Sequence, residues 1–365
     1  MRILLLGDYS NVHTTLAEGL RALGHTVTVA SDGDGWKNYP RDIDLRRTSL
    51  LSTCWRIVRA FASFRNYDIV QLINPIFLPL KAERHWPFYR YLRRFNKKVF
   101  LGAFGMDHYW VKAGIDCKTF RYSDFNLGAS LRHSQENDVF IRDWLHGEKG
   151  RLNRHIAHTC DGIIAGLYEY HASYASEWAN KLTYIPFPIR SDKAEADGAG
   201  QQLQTVPNRV RFFIGIQRDR NAYKGTDILL RALQRVQARY PDHCDIVQVE
   251  NVPFAEYRQL MLSSHVLLDQ IYSYTPAMNA LEAMARGLVV VSGAEPEHYT
   301  LQGEHTLRPI VNVLPNEDDI FAKLCHLVEH RHDLPRLSAE SRAYITRHHD
   351  HCRVAEAYLR FWESH

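Results

Sequence analysis

Several things are absent from this sequence, and each absence closes a class of function. No apolar run approaches the roughly 20 residues that a helix needs to cross a bilayer. Met1 to Leu6 is apolar but meets Gly7-Asp8 at once, so it reads as a first strand rather than a secretion signal. No C-x-x-C pair occurs among the six scattered cysteines. A reduced, cytosolic compartment is the simple reading of that pattern. Gly7 is followed by no G-x-G-x-x-G, which removes the dinucleotide-binding fingerprint and with it a nicotinamide enzyme. An excess of one charge sign is also lacking: 45 Lys and Arg stand against 41 Asp and Glu, a net charge of +4. That balance implies no polyanionic partner and speaks against nucleic-acid binding.

What is present fits a soluble globular protein. The 365 residues, 45% apolar and 24% charged, suffice for two domains with separate cores. The opening alternates strand and helix. Arg2 to Leu6 reads as a buried parallel strand, Val12, Leu16, Leu20 and Leu23 recur at helical spacing before Gly24, and His25 to Ala30 alternates as the next strand. Further strands are expected at Tyr67–Ile73, Lys98–Ala103, Asp161–Ala165 and Leu182–Ile185. Ser191 to Asn208 is polar and reads as an exposed loop near a domain junction. A second series follows: strands at Arg209–Gly215, Asp245–Val249, His265–Leu268 and Leu288–Ser292, with helices over Thr226–Ala238 and around Glu282. Strands separated by helices predict parallel, doubly wound sheets. The expected division is 1–188, 189–345, and a C-terminal helix over 346–365 that packs back toward the first domain.

Two stretches of the second half carry chemistry. In Ile216–Asp227 (IQRDRNAYKGTD), Arg218 and Lys224 lie six residues apart, with Lys224-Gly225 opening a helix just after a strand. Two cations beside the free amides of a helix N-terminus suit a doubly charged phosphate. In Ala280–Gly287 (ALEAMARG), Glu282 sits early in a helix, where its oxygens can accept hydroxyl protons from a sugar or ribose. Phosphate and polyol sites together suggest a sugar nucleotide. The bland alternatives are an exposed basic turn for Arg218 and Lys224 and a dipole partner for Glu282.

These residues, with the N-terminal MRILLLGDYSNVHTTLAEGLRALGHTVTVAS, the loop FGMDHYW (104–110) and YTPAMNALEAMARGLVVVS (274–292), make the chain resemble a known family. It is similar to the retaining, GT-B-fold glycosyltransferases of glycosyltransferase family 4. The resemblance implies an α/β GT-B fold, two doubly wound Rossmann-like domains facing across a cleft, with C-terminal helices. It implies an N-terminal domain for the acceptor and a C-terminal domain for the nucleotide sugar. Arg218 and Lys224 would neutralise the donor diphosphate, Glu282 would hold the ribose, and the amides of Met278 and Asn279 would cradle the phosphates. Gly7, at the end of the first strand, is counted with the donor-binding residues, and Asp107 with the catalytic ones. His13 and His108 are candidates for the acceptor side, His13 equally well a capping or surface histidine.

The chain departs from the family's pattern in places. Tyr274 stands where the first of two glutamates contacts the donor sugar, so it either packs or takes over that contact. Phe104 replaces a histidine, and Pro186-Phe187-Pro188 replaces a Pro-Asn-Gly turn. The expected function is transfer of a sugar from a nucleotide-diphosphate donor to a glycan or lipid-linked acceptor with retention of configuration, in surface polysaccharide or glycoconjugate synthesis. No cofactor and no metal is expected; His348 to Cys352 (HHDHC) reads as a solvated histidine run rather than a metal site. A GT-B nucleotide-sugar epimerase and a non-catalytic nucleotide- or glycan-binding relative are the alternatives. Lys81–Lys98, with seven Lys or Arg and five interleaved aromatics, fits either an anionic membrane surface or a helix whose aromatics enter the core. The expected location is cytoplasmic, with room for peripheral contact at the inner face of a membrane.

Overall fold

Two hydrophobic clusters organise the chain, each built around a parallel sheet. The structure, a computed structural model, describes residues 1–192, 203–216 and 221–365. Its contacts divide it into two units. The first comprises Met1–Arg121, Phe125–Pro188 and His351–His365; the second comprises Tyr122–Asp124 and Ile189–Asp350.

The first unit holds a seven-stranded sheet in the order β3-β2-β1-β4-β5-β8-β9. These strands are β1 (Arg2–Leu6), β2 (Thr26–Ser31), β3 (Ile43–Asp44), β4 (Ile69–Leu72), β5 (Lys98–Ala103), β8 (Gly162–Ala165) and β9 (Leu182–Tyr184). All neighbours pair in parallel. A small antiparallel pair, β6 (Asn126–Leu127) and β7 (Ser130–Leu131), stands apart. The apolar runs explain the sheet. Ile3 to Leu6 and Ile69 to Leu72 are buried throughout, as parallel strands covered by helices on both faces require. The strand order reverses between β1 and β4, so the loops after them meet at the sheet's carboxyl edge.

The second unit holds five parallel strands in the order β11-β10-β12-β13-β14. They are β10 (Val210–Ile216), β11 (Cys244–Glu250), β12 (Val266–Leu268), β13 (Val289–Ser292) and β14 (Val311–Asn312). Leu229, Leu233 and Val236 of the helix Thr226–Arg239 share a core with Ile320, Leu324 and Val328 of the helix Glu317–Glu329. Here the order reverses between β10 and β12.

Three expectations need correction. The C-terminal segment that belongs to the first unit starts at His351, not at 346, because the helix Leu334–His348 runs on to the second unit's edge. The histidine run is not solvated: His349 and His351 are buried, and His348 Nε2 lies 2.7 Å from the buried carboxylate of Glu304. Of the polar stretch Ser191–Asn208, residues 193–202 lie outside the described residues, while Leu203 is buried in the second core rather than exposed. In Lys81–Lys98 the aromatics enter the core. Tyr89 is buried and Trp86, Phe88 and Tyr91 pack against the same cluster, with Phe95 left exposed. No helix among the described residues is long and apolar enough to cross a membrane.

Candidate functional site

The second unit gathers its polar groups where the strand order reverses. Lys224 follows β10 through the short helix Asn221–Lys224, and Gly225 then turns the chain with φ +73° into the helix Thr226–Arg239. A side chain at 225 would strike Ile271, 2.4 Å from the position of its Cβ, so this turn needs glycine for both its angle and its closeness. The amide of Ile271 donates to the Lys224 carbonyl at 3.2 Å, which ties the turn to the segment after β12.

Asp269, the first residue past β12, completes the group. Its Oδ1 lies 3.7 Å from Lys224 Nζ. The same oxygen accepts from Asn279 Nδ2 at 3.3 Å, and Asn279 Oδ1 accepts from the Tyr257 hydroxyl at 3.1 Å. Asp269 is 4% exposed, yet its Oδ2 has no hydrogen-bond partner among the described residues. A buried carboxylate oxygen without a donor is costly unless something else satisfies it. Burial, and then the Asp269 charge, push the Tyr257 phenol up, so it stays a neutral donor.

Met278 and Asn279 form the first turn of the helix Met278–Ala285, whose N-cap Ala277 offers no side-chain acceptor. Their amides are therefore among the donors that a helix start leaves without intrahelical partners. Glu282 lies one turn on, its Oε2 in an ion pair with the buried Arg286. Tyr274 is 2% exposed and its ring lies 5.0 Å from that of Tyr122, whose hydroxyl donates to Glu295. It is a packed ring in this structure. Arg218 lies outside the described residues.

The first unit shows a second, mostly apolar group at its own reversal. Gly7 (φ +81°) brings the chain within contact of Ile73, 2.3 Å from where a Cβ would stand. Asp8 is buried and accepts from the amides of His13 and Thr14 and from the Thr14 hydroxyl, capping the helix Val12–Ala22. His13 is fully buried. Its Nδ1 lies 2.7 Å from the Gly7 carbonyl, which can only accept, so Nδ1 carries the proton. Nε2 is then a bare acceptor, and it has no partner among the described residues. Burial lowers the imidazole to about 3, so it is neutral at physiological pH. Its ring meets Phe104 edge-on at 6.3 Å.

Asp107 and His108 do not join this group as reacting side chains. Asp107 is fully buried; Oδ1 accepts from the Trp110 amide at 2.9 Å and Oδ2 from the Tyr174 hydroxyl at 2.7 Å. It is the N-cap of the helix His108–Ile115. His108 is held by Asn153 Oδ1 at its amide and by the Trp144 carbonyl, 2.8 Å from Nδ1. The Asp107 carboxylate is thus engaged as a cap, and His108 is anchored through its amide and Nδ1. Asp269, by contrast, escaped the sequence reading, although its place right after a short apolar strand was the available signal.

No family model matches the sequence, and no curated protein matches it. Solved structures do match in fold over the whole chain. Sucrose-phosphate synthase from Thermosynechococcus elongatus aligns with a TM-score of 0.59 at 15% identity, over 100% of this chain and 99% of that one. HepE of Anabaena, solved with UDP and glucose, aligns with a TM-score of 0.58 at 13% identity over 100% of both chains. UDP-GlcNAc 2-epimerase from Neisseria meningitidis, bound to UDP-GlcNAc, gives a TM-score of 0.54 at 13% identity over 100% of both. The chain has the α/β GT-B fold that these proteins share.

Proposed function

We propose that this protein is a glycosyltransferase that moves a sugar from a nucleotide-diphosphate donor to a glycan or lipid-linked acceptor. The observation that carries the reading is the group at the β10/β12 reversal, where Lys224, Asp269 and Asn279 converge beside the start of the helix Met278–Ala285. A diphosphate placed there would meet the Lys224 ammonium and the amides of Met278 and Asn279. Glu282, with one oxygen on Arg286, keeps the other for a ribose hydroxyl. Arg218 is assigned to the same diphosphate on sequence grounds.

The transfer is proposed to retain configuration and to need no metal. The acceptor oxygen bonds to the anomeric carbon on the face from which the diphosphate leaves. The bond from that carbon to the diphosphate oxygen breaks, and the acceptor's proton passes to the departing diphosphate. Lys224 and Arg218 would stabilise the charge that grows there. His13 is assigned to the acceptor side on sequence grounds, and its Nε2 is enclosed in this structure. A role in surface polysaccharide or glycoconjugate synthesis follows from such an acceptor.

A panel of UDP, GDP, ADP and CDP sugars in thermal-shift measurements would identify the donor. With it, Lys224→Ala should lower turnover by roughly 10²- to 10³-fold, measured below the variant's own melting temperature. Near-normal turnover would overturn the assignment. The likeness to UDP-GlcNAc 2-epimerase favours a second reading, isomerisation of the donor sugar itself. Incubation with donor alone separates the two: an isomerised sugar nucleotide marks the epimerase, and slow hydrolysis without isomerisation marks the transferase.

A further inference from the structure

The helix Leu50–Phe61 of the first unit buries one face, and among its described side chains Trp55 and Val58 of the other face are exposed. Ile57 and Phe61 enter the core with Phe64. On the outer side Trp55 is 61% exposed and Val58 is 63% exposed. Trp55, Val58 and Ala62 stand at i, i+3 and i+7, a single helical stripe. Single exposed apolar residues are ordinary on a protein surface. Here a tryptophan and a valine share one turn, and what surrounds them is cationic.

From Arg46 to Tyr67 the chain carries five arginines and no acidic residue. The Arg59 guanidinium lies 5.2 Å over the Trp55 ring, so cation and ring face the same way. The helix His85–Phe95 runs alongside in the same direction. Arg84 reaches Cys54 at one end, the rings of Phe88 and Tyr91 meet Phe61, and the Phe95 carbonyl accepts from the Asn66 amide at the other. Phe95 is itself 48% exposed. Arg47, Arg59, Arg65, Arg84 and Arg94 have no carboxylate partner among the described residues. Nearby acids do not offset them. Asp42 pairs with Arg21, Asp68 with Lys97, and Asp44 faces Arg41, Arg46 and Arg56, which leaves the exposed Glu83.

We propose that this surface, the Trp55–Val58 stripe with its arginine border, docks on an anionic lipid bilayer. An aromatic and a branched apolar side chain ringed by guanidinium groups match the headgroup layer. There the apolar pair enters the interface and the cations meet lipid phosphates. A soluble polyanion would engage the arginines and gain nothing from Trp55 and Val58. The surface lies outside the donor and acceptor groups described above, and the inference does not depend on the transferase reading.

Flotation of the full chain with vesicles tests it, using phosphatidylcholine alone and phosphatidylcholine mixed with phosphatidylglycerol. Binding should require the anionic lipid and weaken as salt rises, since the contact is screened over about 10 Å at 0.1 M. W55S/V58S should bind at least about tenfold more weakly, with retention on immobilised dextran sulfate unchanged. R59Q/R94Q should lose roughly fivefold per arginine at low salt and lose dextran sulfate retention as well. Hydrogen–deuterium exchange of the wild-type protein keeps the test independent of the variants: vesicles should protect 50–66. Absence of binding to anionic vesicles, equal vesicle binding by W55S/V58S, or vesicle protection confined elsewhere would each overturn the proposal. The second of these outcomes would mark a site for soluble polyanions instead.

Discussion

Lys224 and Tyr274 are legible as special in the sequence, for opposite reasons. Lys224 precedes a glycine that must adopt a left-handed angle, and a cation fixed at a helix start is a chemical statement even without coordinates. Tyr274 is legible only as a substitution for an expected carboxylate, and the structure shows the cost of reversing it. Its ring is 2% exposed against Tyr122, and Tyr122 in turn donates to the buried Glu295. Tyr274→Glu would place a carboxylate in that packing, close to an existing one. We expect a loss of about 3 kcal/mol or more in urea denaturation. An unchanged midpoint with altered donor preference would instead make Tyr274 a donor contact. For Asp269 the sequence offered only its place after a short apolar strand; that it would be buried with an oxygen left over was not legible.

At the scale of elements, the decisive fact is what each helix packs against. Asp107 follows a strand and precedes an aromatic run, a pattern equally suited to a catalytic group and to an N-cap. The Trp110 amide and the Tyr174 hydroxyl take both oxygens and decide for the cap. Gly19 gives the complementary case. Within the helix Val12–Ala22 a glycine looks like a weakness that alanine would mend by up to about 1 kcal/mol. The C-terminal helix His351–Ser364 passes so close that a Cβ at 19 would stand 2.3 Å from the His351 carbonyl oxygen. Backbone cannot yield there as a side-chain tip can. Gly19→Ala should therefore destabilise the first unit by about 1–3 kcal/mol, read from the urea midpoint, and a stabilised variant would show that the two helices are not held at this distance. The short strands β3, β6, β7 and β14 were also missed, since two residues carry no periodicity to read.

The whole molecule responds to pH through groups from both units. Burial lowers His13 to about 3, His85 to about 4 and His298 to about 3. These histidines stay neutral when folded, whereas in the unfolded chain they take up protons below about 6.5. Their contribution is therefore full above pH 6.5 and is lost as pH falls toward 4 and below. Burial raises Asp8 and Asp107 to about 6 each, against hydrogen bonds that favour the carboxylates. Those two act in the other direction: the folded state holds the extra protons, so their contribution is full below pH 3.8 and is lost as pH rises through about 6. Three histidines with the larger displacements outweigh two aspartates. The urea midpoint should fall between pH 6.5 and 4, and His298→Gln, which cannot take up a proton, should flatten that slope. A midpoint that rose on acidification would reverse the assignment of which set dominates.

The sequence by itself determined the α/β class, the succession of the long strands along the chain and the placing of a cation at the glycine turn of Lys224. These are local properties: periodicity of burial, a glycine angle, a charge at a helix start. Tertiary structure decided which polar groups would meet. Asp269 reaches Lys224 and Asn279 only because β12 lies beside β10 in the sheet, and His13 keeps a bare nitrogen only because the chain at Gly7 and Phe104 encloses it. Such encounters depend on strand order and packing between residues far apart in the chain, and no local pattern encodes them.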